Sequence, residues 1–91
     1  DDMNDETRHQ ATEKVRAVKQ VYEQVLLVKQ HVVGVGVGLR QQGGEVTDTV
    51  ALVVMVDHKV PEAALDPEDR IPAEIEGVPV DVQEVGQVRA L

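Results

Sequence analysis

The sequence predicts an α+β domain: a long N-terminal amphipathic helix packed on a three- or four-stranded, mainly antiparallel sheet. Two observations carry this. Apolar residues recur every three or four positions from Thr7 to about Lys29, the helical period. Beyond them come two valine-rich runs, the first alternating with glycine at period two and the second apolar on both faces, one on each side of QQGGE, as the two strands of a hairpin are placed. Valine stiffens extended backbone through its branched β-carbon, and with Tyr22 the only aromatic residue the core must be aliphatic.

The first six residues, DDMNDE, are acidic and expected to fray. Asn4 or Asp5 is the expected N-cap, and acidic side chains suit the positive end of a helix. Val15, Val18, Tyr22 and Val25 follow with 3-4-3 spacing, the seam by which helices pair, and Val21 and Val28 widen the arc. This seam is the candidate helix interface. The many β-branched residues are mediocre helix formers, so the segment needs tertiary packing to persist.

In HVVGVGVGLR, residues 31–40, strict alternation would place Val33, Val35, Val37 and Leu39 on one face. Gly34, Gly36 and Gly38 would then share the other. A strand face without side chains admits a helix or another backbone at close range, and the N-terminal helix, in cis or from a second copy, is its expected occupant. Gly43 and Gly44 turn the chain. TDTVALVVMVDHK, apolar on both faces, is expected as a central strand. Pro61-Glu62-Ala63-Ala64-Leu65 suggests one helical turn, and Glu76-Gly77 a tight turn. Val78, Val80 and Val82 form a half-exposed strand that Pro79 assigns to an edge. Residues 7–86 are therefore read as one domain and 87–91 as a tail or linker start.

Composition excludes more than it selects. The formal net charge of −8 over 91 residues disfavours nucleic acid and anionic membrane surfaces, which need basic patches. No apolar run is long enough to span a bilayer and no signal peptide precedes Asp1, so a soluble chain is expected, with the cytoplasm slightly favoured. Neither cysteine nor serine occurs, which removes disulfides, thiolate metal sites and the usual hydrolase nucleophiles. The expectation is a chain that is not an enzyme.

The motifs with chemical potential are weak. G-x-G-x-x-G fails because Leu39 stands at the third glycine and a turn and strand follow in place of a helix. The G-K-[ST] of a phosphate loop is absent, and Glu62–Asp69 lacks the calcium-loop pattern. His9, His31 and His58, with Asp57 or Asp81, have the residue types of a metal site but not its usual close spacing, so they are read as surface groups. Neither cofactor nor metal is expected.

The order VVGVGVG at 32–38, HKVPEAAL at 58–65 and IPAEIEGVPVDVQEVG at 71–86 resembles the non-catalytic N-terminal region that precedes the catalytic domain in bacterial trypsin-like serine peptidases. The resemblance implies a companion domain whose catalytic partner residues lie elsewhere; no position here matches them. Three functions are thus on the table. A self-associating, non-enzymatic assembly module leads. A propeptide-like or inhibitory domain docking on a trypsin-like peptidase follows, with exposed strand edges suited to β-augmentation. A small acid–base enzyme using His, Asp and Glu comes last.

Overall fold

A computed structural model describes residues 2–86; the expected tail, 87–91, lies outside the described residues. Helix α1 runs Asp2–Leu27, and the sheet comprises β1 (Val32–Gln42), β2 (Glu45–Val56), β3 (Glu74–Ile75) and β4 (Val78–Glu84). Two single 3-10 turns, Glu62–Ala64 and Pro67–Asp69, lie in the β2–β3 connection. The α+β class with a long N-terminal helix holds. Asn4 and Asp5 lie inside α1 rather than at its cap, because the helix already begins at Asp2.

The strand order is β1-β2-β4-β3. β1 pairs antiparallel with β2 through a two-residue turn in which Gly43 (φ 59°) and Gly44 (φ 83°) take the left-handed conformation that a tight hairpin requires. β2 is central as expected, with Ala51, Leu52, Val53 and Val54 all buried. β4 pairs with β2 in parallel, so the sheet is mixed rather than mainly antiparallel. The long connection after β2 carries the chain back before β4 begins, which permits the parallel pairing. β4 is also not an edge strand: the two residues of β3 flank it. Pro79 is tolerated because the ladder to β2 starts one residue later, at Leu52–Val80, while Val80 donates its N–H to Ala73 on the other side.

The core lies between α1 and one sheet face. Val15, Val18 and Leu26 descend from the helix onto Val35, Leu52, Val54, Val56 and Val80, with Tyr22, Val32 and Val37 packed at the margin. A β-bulge between Val32 and Gly34 breaks the expected alternation. Val32, Val35 and Val37 therefore serve the core while Val33 stands 45% exposed. The expectation that Val33, Val35, Val37 and Leu39 share a face is corrected at Val33; Leu39, opposite Val50, keeps the face of Val35 and Val37 but stands 38% exposed.

Candidate functional site

The histidines and the carboxylate that sequence spacing left apart meet where the open end of the β1–β2 hairpin faces the end of α1. Leu27 ends the helix, and the chain enters β1 through His31, whose φ of 74° is a left-handed conformation uncommon for a residue with a side chain. Backbone bonds hold it there: Val32 N–H donates to Lys29 C=O, and Asp57 N–H donates to His31 C=O at 3.0 Å. The hairpin register, with Val32 opposite Val56, then sets His31 beside Asp57 and His58.

Asp57 is the hub. Its Oδ1 lies 3.0 Å from His31 Nδ1 and 3.2 Å from His58 Nδ1, and it accepts the His58 backbone N–H at 2.7 Å. The two imidazoles stand edge to face with centroids 4.1 Å apart. Burial alone would raise the Asp57 carboxyl. The His58 backbone N–H, the His31 hydrogen bond and the two adjacent rings outweigh it and hold the group below the ordinary carboxylate range. An ionised carboxylate only accepts, so a neutral ring bonded to it carries its proton on Nδ1 and leaves the Nε2 lone pair free.

Beside this cluster opens a cleft of about 270 Å³, walled by Val56, Val60, Leu65, Ile71 and Val82 with His31 and His58 at its rim. Three hydrogen bonds pin its mouth: Lys29 Nζ donates to Glu68 C=O, Gln30 N–H to Asp69 Oδ1, and Arg70 Nε to Glu62 C=O. They tie the end of α1 to the 3-10 turns and the two turns to each other. The arrangement combines an oriented imidazole pair, a shared carboxylate and an apolar hollow. It has the donor types for a divalent metal ion and the Asp–His pairing of a general base.

Neither His9 nor Asp81 joins this cluster. His9 is exposed on α1, and Asp81 lies on β4, where it accepts the N–H of Gln41. His31 and Asp57 are half-buried rather than surface groups, which corrects that reading for them, while His58 stays largely exposed. Turning the sequence back at Gly43–Gly44 would have paired His31 with Val56, one residue from Asp57; the missed signal was register, not local spacing.

The seam on α1 divides. Val15 and Val18 are buried, Tyr22 is partly buried against them, and Val25 is 56% exposed. Leu26, one position on, fills the place expected for Val25 and is 1% exposed. The core stripe thus runs 3-4-4, following the 3.6-residue period of a straight helix more closely than a 3.5-residue seam does. Val21 at 68% and Val28 at 80% exposure join Val25 on the neighbouring face.

The glycine face turns away from the helix, against expectation, because the core valines of β1 point towards it. Side chains of the adjacent strand cover the glycines instead: a Cβ on Gly34 would lie 2.9 Å from Met55 Cε, and one on Gly38 would lie 3.1 Å from Val53 Cγ2. Gly36 has ordinary room, with Met55 Cε at 3.8 Å. Among the described residues, no helix is long and apolar enough to cross a membrane.

No curated protein matches the chain. A family model does, that of the NARROW LEAF 1 N-terminal domain, over residues 13–86. The match takes in VVGVGVG, HKVPEAAL and IPAEIEGVPVDVQEVG, the segments that resemble the N-terminal region of bacterial trypsin-like peptidases, and assigns them to a domain from a plant protein family. The earlier resemblance is thereby corrected. With most of α1, the whole sheet and the His31–Asp57–His58 cluster inside the matched span, the chain belongs to the NARROW LEAF 1 N-terminal domain family.

Proposed function

We propose that this domain is a non-catalytic assembly module that associates with further copies of itself through the outer face of α1. The observation that carries the reading is the exposed trio Val21, Val25 and Val28, spaced 4-3 along one side of α1 and the residue that follows it, while the other stripe of the helix is already buried in the core. Burying a valine is worth about 1.5–3 kcal/mol, so three per chain offer a useful driving force for pairing.

Sedimentation of the purified chain at tens of micromolar tests the reading. The parent is expected above monomer mass, and Val21→Glu with Val28→Glu is expected to return it to monomer with its thermal melt unchanged. A monomeric parent removes the proposal. The peptidase-docking alternative loses the resemblance that suggested it and keeps only the general suitability of exposed strand edges for β-augmentation.

A second reading, acid–base catalysis, is favoured by one observation: His31 and His58 share Asp57 at the rim of an apolar cleft. Turnover of ester or peptide substrates by the parent, abolished in His31→Ala, would support it over the non-catalytic reading.

A further inference from the structure

We propose that His31, Asp57 and His58 form a binding site for a divalent first-row transition-metal ion. One donor atom from each residue, a ring nitrogen or a carboxylate oxygen, lies within 4.8 Å of the other two. In a tetrahedral site with bonds of about 2.0–2.1 Å to nitrogen, donors stand about 3.3 Å apart. The two Nδ1–Oδ1 separations, 3.0 and 3.2 Å, already match that edge, and an ion bound through Nδ1 displaces the proton that faces Asp57, leaving each neutral ring protonated on Nε2. The widest separation closes by side-chain rotation, and the exposed His58 is free to make it.

Two imidazoles and one carboxylate suit zinc, copper, nickel and ferrous iron better than magnesium or calcium, which prefer oxygen alone. Three protein donors leave a fourth position, and the cleft beside the rings supplies room there for water or an anionic ligand. The fold also positions the donors before any ion arrives. His31 is locked in a left-handed backbone conformation, and the bond from Asp57 N–H to its carbonyl closes the hairpin end from both strands. Donors just before β1 and just after β2 converge, so an ion would also clamp the hairpin end.

The test uses the untagged chain and Zn²⁺. Imidazole nitrogen–proton correlation spectra during the titration are expected to show His31 and His58 shifting together, saturating at one ion per chain, with His9 unmoved. Competition against a chromophoric chelator gives the affinity. Asp57→Ala and His31→Ala are expected to weaken binding by about 10–100-fold or more, and His9→Ala to leave it at the parent value. The parent spectra need no variant, so a variant that fails to fold does not remove the test. A dissociation constant weaker than about 1 mM, or ring shifts that His9 shares equally, overturns the site.

Discussion

Asp81 of β4 accepts the backbone N–H of Gln41 of β1 at 2.9 Å, although β2 lies between the two strands. The same oxygen, Oδ2, takes Gln83 Nε2 at 2.9 Å, and that amide also reaches Leu39 C=O. β1 must therefore curl over the open face of the sheet, beyond a register shift between Leu39 and Gln41. This accounts for Val53, buried on a face that no second layer among the described residues covers.

Asp81→Ala should accordingly loosen the end of the hairpin. A hydrogen bond to a charged acceptor of this kind is worth about 1.5–3 kcal/mol, less where water competes, so a loss of about 1–2 kcal/mol in urea denaturation is expected. Asp81→Asn keeps an acceptor oxygen and should lose less than half of that. Amide exchange at Gln41 separates the curl from general destabilisation. It should accelerate in the alanine variant by more than the global change allows.

The three strand glycines should respond differently to alanine. Gly36 has room, and replacing a strand glycine gains about 0.5–1 kcal/mol, so Gly36→Ala is expected to be neutral or stabilising. At Gly34 the new Cβ meets the flexible end of Met55, which can swing aside, for a change near zero. At Gly38 it meets a methyl of buried, β-branched Val53, which cannot. Gly38→Val should cost about 1–3 kcal/mol as overpacking. Thermal melts that rank Gly38→Ala above Gly36→Ala would contradict this account of the face.

The helix, the hairpin and its glycine turn were legible because each is a local pattern: a 3.6 period, a period of two, and two adjacent glycines. The turns at Pro61–Leu65 and Glu76-Gly77 were legible for the same reason. What stayed hidden depends on pairing. The bulge that exposes Val33, the parallel pairing of β4 and the meeting of His31 with Asp57 are set by register between segments far apart in sequence. The buried stripe was misread by one residue at its end, Val25 for Leu26, because both fit a helical spacing from Tyr22 and only the position of the sheet chooses between them.

The link between the end of α1 and the 3-10 turns is also open to test. Asp69 accepts the Gln30 N–H at 3.0 Å, one of the carbonyl and carboxylate contacts that hold the cleft mouth. Asp69→Ala is expected to cost about 0.5–1.5 kcal/mol, the net worth of one hydrogen bond. Asp66→Ala serves as the control. Asp66 precedes the second turn without a side-chain capping bond and should change stability by less than about 0.5 kcal/mol. Equal losses at both positions would mean that the acidic loop acts through its charge rather than through this contact.

Truncation along α1 distinguishes the two faces of the helix. Leu26 is among the largest fully buried side chains, next to Leu52, Val54 and Val78. Leu26→Ala removes a buried isobutyl group and leaves a cavity between helix and sheet, at a cost of about 2–5 kcal/mol. In a domain of this size that is a large share of the total stability. Val25→Ala, one residue earlier but on the outer face, should change the unfolding free energy of the monomer in urea by no more than about 0.5 kcal/mol. At concentrations where chains associate it should do more, because the same methyl groups then lie in the proposed interface. A Val25→Ala effect that grows with protein concentration, beside a Leu26→Ala effect that does not, would divide the helix into an inner face that folds the chain and an outer face that assembles it.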